Sequence, residues 1–97
     1  PRARTRSAGD LAARVLRVGL VGGSGDAYLA AAHGCDVFLT SDLRHHPVAE
    51  HLESGGCPVV DINHQAAESL WLPQLVAVLA PLGVKVTQSA CDTAHWN

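Results

Sequence analysis

The chain has 97 residues, 47% hydrophobic and 16% charged, which is the composition of a globular domain and not of a disordered segment. Its net charge of -2 argues against a grip on nucleic acid driven by phosphate neutralisation. No apolar run approaches the roughly 18–20 residues of a membrane span, and a domain this short hides only about 60–65% of its unfolded surface, so cover from a partner is expected.

Residues 1–14 read as a tail or linker, with Arg2, Arg4 and Arg6 as a solvated basic end. Val15 to Val21 is an apolar run that predicts a first strand, broken by Gly22-Gly23-Ser24-Gly25. Asp26 to His33 is Ala-rich and predicts a helix ending at Gly34. Asp36 to Thr40 predicts a second strand. Ser41-Asp42 is placed to cap a helix that carries Pro47 in its first turn and runs to about Glu53. Cys57 to Asp61 predicts a third strand. A long helix over about Gln65 to Ala80 follows, with Leu72, Leu75, Val76 and Leu79 at helical spacing and Pro73 as a kink or restart. Residues 84–88 predict a fourth strand. The alternation predicts one α/β domain over residues 1–97, with a mainly parallel sheet of about four strands and helices on both faces. In such sheets, ligands gather beyond the carboxyl ends of the strands, where three polar loops of this chain open.

Those loops hold the residues that carry chemistry. His64 and Glu68 are four apart at a helix start and share one face. By spacing alone they read first as a helix-start imidazole and a solvent-facing carboxylate. Their position directly after a strand, beside Asp61, makes them candidate ligands for a divalent transition metal. Thr40, Asp42, His45 and His46 form a second group. Asp42 is placed to orient a ligand histidine or accept a proton, and only one of the adjacent histidines is expected to reach a shared site. Gly22, Gly23, Ser24 and Gly25 form a turn whose N–H groups suit an anion or cofactor, though the spacing matches neither GxGxxG nor GK[ST]. Cys35, Cys57 and Cys91, an odd count without a CxxC pair, read as core or near-core thiols of a cytoplasmic protein. No signal peptide is expected, since the first residues show no apolar run. His33, His51 and His95 read as surface residues.

Three segments in one order carry a resemblance: Val18 to Gly25, Asp36 to His46 and Val59 to Glu68. Together they resemble the NIF-three-like family, also known as GTP cyclohydrolase 1 type 2 homologues, over about Arg17 to Val86. The resemblance implies the C-terminal half of a two-lobed α/β fold around a dinuclear metal site. His64 and Glu68 would be this half's ligands. Thr40, Asp42 and His46 would line the same cavity, with Asp42 and His46 as catalytic proton carriers. The N-terminal half is the implied partner and would bring the other ligands. Ser41 stands where the family has Gly, Asn63 where Gly is common and Gln65 where an aromatic residue is usual. Cys91 to Trp96 replaces the family's Thr-Asp-Pro.

The expected function is that of a dinuclear-metal-binding, hydrolase-like protein acting on a small molecule such as a nucleotide or phosphoester. It would carry two divalent ions of undetermined identity (Zn, Fe, Mn or Mg), held weakly or not at all by this chain alone. A homo-oligomer, a hexamer in the family, is implied, with no membrane or nucleic-acid partner. One alternative is a non-enzymatic metal-binding regulatory or interaction protein. Another is a nucleotide-binding module using the glycine loop without metal.

Overall fold

The computed structural model describes residues 5–95. The Val/Leu/Phe-rich runs become strands, and the sheet they build carries the candidate site at one end. Strand β2 spans Val18–Ser24, β3 Val37–Ser41 and β4 Val59–Asp61. Strand β1, Arg6–Ala8, completes a four-stranded sheet of order β1-β4-β3-β2. The β2–β3 and β3–β4 pairs are parallel, with Leu20 opposite Leu39 and Leu39 opposite Val60. The expected parallel α/β core is therefore present, but its composition differs from the expectation in one strand.

That strand is β1. It falls inside the stretch expected to be a tail, and it pairs antiparallel with β4, Arg6 opposite Asp61 and Ala8 opposite Val59. The Arg6 guanidinium fixes it by donating to the Asp61 carboxylate (Nε to Oδ2, 2.8 Å) and to the Leu43 carbonyl (2.6 Å). Arg6 is therefore not part of a solvated basic end, while Arg2 and Arg4 lie outside the described residues. Residues 84–88 form no strand. A strand needs a hydrogen-bonded neighbour. The free edge of β4 is taken by β1, and the β2 edge pairs with no other described residues.

The helices also depart from their sequence spacing. Residues 26–33 form no α-helix but two 3-10 segments, Asp26–Tyr28 and Ala30–Gly34. Their turns close i to i+3, as when the Tyr28 N–H donates to the Gly25 carbonyl at 2.9 Å. Helix α1 spans His45–Glu53. The long helix is split into α2, His64–Ser69, and α3, Leu72–Leu79, with Pro73 in the first turn of α3. Proline has no N–H for the residue 69 carbonyl and disfavours helical backbone in the residue before it, so the sequence restarts there.

The core is small. Phe38 and Val59 are 2% exposed and pack with Leu29, Ala32, Leu43 and Cys57. His51, expected at the surface, is buried in α1 and donates from Nε2 to the Cys57 carbonyl at 2.7 Å. The ring of exposed His33 meets it edge-on. Cys57 is buried, Cys35 half-buried and Cys91 exposed, so Cys91 is not a core thiol. Burial, with the neighbouring Cys35, pushes the Cys57 thiol up from its ordinary pKa. Several large apolar side chains stay exposed, among them Leu20, Leu70, Val78 and Leu82.

Candidate metal centre

The site begins with the start of α2. Asn63 is its N-cap: the side-chain oxygen accepts the Ala66 N–H at 2.9 Å, satisfying one donor of the first turn. That cap makes His64 the first helical residue and puts Glu68 one turn further on the same face. His64 Nε2 and Glu68 Oε1 are 3.0 Å apart. Helix α2 packs on β2 and β3, which brings the pair against the carboxyl end of β2.

Gly23 is the point of contact. A Cβ built on it would lie 2.8 Å from Glu68 Oε1 and 3.3 Å from His64 Nε2, and its φ of +75° already favours glycine. The loop is braced from behind by Thr40, which is 1% exposed and donates its hydroxyl to the Gly23 carbonyl at 2.9 Å. Gly25 lies so close to Thr40 that an added Cβ would come within 2.7 Å of the Thr40 Cβ. Thr40 is thus a buried strut of the loop and does not face the cavity.

Asp42 follows the end of β3 with φ +56°, the chain's non-glycine residue in the left-handed region among those described. Asp tolerates this conformation better than most residues, at a cost of order 1 kcal/mol. The turn aims its carboxylate across the site. Asp42 Oδ2 accepts from His64 Nδ1 at 2.6 Å and from the Ser24 hydroxyl at 2.8 Å. The His64 bond first, then the Ser24 bond, holds the Asp42 carboxyl below its ordinary range. The same Asp42 bond, with a smaller share from Glu68 and against slight desolvation, raises the His64 imidazole. Asp42 was expected to cap α1, but its carboxylate is committed to Ser24 and His64. Helix α1 has no side-chain cap; its N-cap residue, Arg44, donates its N–H to Asp26 at 3.2 Å and pairs with it through its side chain at 2.7 Å.

Asp42, His64 and Glu68 open onto a cavity of about 510 Å³, walled further by Trp71, Leu72 and His95. His46 is exposed on α1 and is not among the described residues lining it, and His45 points its ring at His46 instead. Sequence reading placed Ser24 in an anion-binding loop and missed its bond to Asp42, which only the parallel register of β2 and β3 creates, Ser24 opposite Ser41. It also missed Trp71, read simply as part of a long helix. The glycine loop offers little to an anion: the Gly25 N–H donates to the Ser41 carbonyl at 3.3 Å, and Gly23 abuts a carboxylate.

The donor set fits a divalent transition metal. Asp42 accepts a hydrogen bond from His64 Nδ1–H, which leaves Nε2 of the neutral ring as the atom that can bind a metal, beside a carboxylate oxygen. Without a metal, the 3.0 Å contact is a hydrogen bond only when Nε2 is protonated, the charge state that both carboxylates favour. Two donors fall short of the four of a closed site. Accordingly, no group of three or more His, Cys, Asp or Glu able to hold a metal occurs among the described residues. No helix among them is long and apolar enough to cross a membrane.

The chain is similar to known proteins over nearly its whole length. Residues 2–94 match the family model described as Duf34/NIF3 (NGG1p interacting factor 3). The chain is 46% identical over 94 residues to a Streptomyces coelicolor protein named GTP cyclohydrolase 1 type 2 homolog, covering 95% of this chain and 30% of that protein. It is 39% identical over 97 residues to the Mycobacterium tuberculosis protein of the same name, covering 95% and 26%. The crystal structure of a Bacillus cereus protein related to NIF3 superposes with a TM-score of 0.76 at 25% identity, over 97% of this chain and 28% of that one. The chain thus spans under a third of the length of these relatives.

Proposed function

The chain belongs to the Duf34/NIF3 family, and from that premise we propose that His64 and Glu68 are its ligands to a dinuclear divalent-metal site in a longer, hydrolase-like protein. One observation carries the reading: an imidazole held at Nδ1 by Asp42 presents Nε2 3.0 Å from Glu68 Oε1, at the mouth of a cavity. The remaining ligands come from parts of the protein beyond these 97 residues, since two donors bind a metal weakly. When bound, the metals supply Lewis-acid polarisation and neutralise charge that develops on a substrate oxygen.

Within this chain, Glu68 and His64 hold the ions, and Asp42 fixes the ring tautomer. The half-exposed Asp42 carboxylate also borders the cavity and is the nearest group able to pass a proton. We give His46 no part in this. The relatives' name supports a nucleotide-type small molecule as substrate. The exposed apolar side chains, Leu20 at 71%, Leu70 at 75% and Leu82 at 70%, support cover by the rest of the longer protein and its assembly into a homo-oligomer. Three free cysteines support a cytoplasmic location.

The test is metal analysis of purified full-length protein. His64→Ala and Glu68→Ala should each lose at least one metal per chain while the far-UV circular dichroism spectrum is retained. Wild-type stoichiometry in both variants would refute the ligand assignment. Turnover of a panel of nucleotides and phosphoesters by the metal-loaded wild type separates a hydrolase from a non-enzymatic metal-binding protein.

A further inference from the structure

We infer that Ser24 is a positioning residue that sets metal affinity through Asp42, and that the glycine loop serves the metal ligands and not a phosphate. The inference rests on the reading that His64 and Glu68 bind metal. Its own support is a chain of contacts that runs from Ser24 through Asp42 to the Nδ1 side of His64. Asp42 follows β3 in a left-handed turn, and half of its side chain is open to solvent. Its Oδ2 has two partners, Ser24 Oγ at 2.8 Å and His64 Nδ1 at 2.6 Å. The Ser24 hydroxyl therefore ties the carboxylate back to β2, and the carboxylate in turn orients the His64 ring.

Gly23, the next residue toward the N-terminus, sets the other boundary. The space a side chain would occupy there is filled by Glu68 Oε1 and His64 Nε2. The two residues act on opposite ends of the same imidazole: Ser24 through Nδ1, Gly23 by leaving room at Nε2. Loss of partners outside the ligands themselves typically costs about 10–100-fold in metal affinity. Ser24 acts one bond further out, so about tenfold is expected.

The experiment is calorimetric titration of the metal-free full-length protein with Zn²⁺ at one pH, with Tm as a check on the fold. Ser24→Ala should bind Zn²⁺ about tenfold more weakly with Tm near that of the wild type. Ser24→Thr, which keeps the hydroxyl, should restore affinity, a rescue that loss of packing would not show. Gly23→Ala should weaken binding at least as much. Wild-type affinity in Ser24→Ala, alongside lost binding in His64→Ala and Glu68→Ala, would overturn this inference and leave the ligand assignment standing. Equal weakening in Ser24→Ala and Ser24→Thr would overturn it too, since the hydroxyl would then not be the cause. Unchanged binding in His64→Ala and Glu68→Ala would refute the ligand assignment itself.

Discussion

Asp42 and His64 are 22 residues apart in the chain and joined by a 2.6 Å hydrogen bond from Nδ1 to the carboxylate. The bond links the end of one parallel strand to the start of the helix after the next. It decides which imidazole nitrogen is free to act, and the behaviour of the site under substitution follows from it.

Asp42→Asn should keep the backbone, because Asn tolerates the left-handed region as Asp does. The amide oxygen can still accept from Nδ1, so the tautomer persists and metal stoichiometry should stay at the wild-type level. Asp42→Ala removes the acceptor and should weaken Zn²⁺ binding by about 10–100-fold. Calorimetric affinities in the order wild type, Asn variant, Ala variant are expected. Equal affinities in all three would show that the bond does not matter.

Asn63→Ala tests the helix that delivers both ligands. The lost cap should cost about 1 kcal/mol of stability. Because His64 is the first helical residue, fraying of α2 also loosens the ligand pair. Denaturant melts and Zn²⁺ titration should therefore both move. A stability loss without any change in affinity would mean that the pair is held by contacts with β2 alone.

How far the sequence foretells these features depends on how local they are. The strands at Phe38 and Val59 are legible because consecutive apolar residues fit a parallel sheet buried on both faces. The ligand pair is legible because i, i+4 spacing is a property of one helix. Strand β1 is not, since Arg6-Ser7-Ala8 has no strand pattern and is fixed by Asp61, 55 residues away. The Val84 to Val86 run has the pattern but forms no strand, although the outer edge of β2 pairs with no other described residues. Asp42 reads as a cap from its place before α1, and only tertiary register shows that it faces Ser24 and His64. His51 reads as a surface residue because its burial depends on the Cys57 carbonyl that it meets.

Phe38→Ala should destabilise the protein by about 3–5 kcal/mol, the usual range for emptying a buried aromatic site. Phe38 is 2% exposed on the central strand β3, pairing with Gly19 on one side and Val59 on the other. In so small a core little can collapse into the space. Urea melts of the full-length protein should show a lower midpoint. A loss under about 1 kcal/mol would indicate that the core relaxes around the cavity.

The pH dependence of the metal-free protein has a definite sign. The Asp42 carboxyl is lowered from its ordinary 3.8, chiefly by the His64 bond and then by Ser24. A lowered carboxyl contributes stability that is present above its unfolded value and is lost as pH falls through the lowered folded value. The His64 imidazole is raised from its ordinary 6.5, chiefly by Asp42. A raised imidazole contributes stability that is present below 6.5 and is lost as pH rises through the raised folded value. The two contributions coexist fully between 3.8 and 6.5. Both groups are partly exposed, so the effect is modest and shrinks with added salt. Urea melts of metal-free wild type and His64→Ala across this range should differ most inside that window, and the gap should narrow as pH rises above 6.5. Metal should abolish the alkaline fall, because the ion takes Nε2 in place of a proton. A gap that widens with rising pH in the metal-free protein would show that the imidazole is not held as a cation between the two carboxylates.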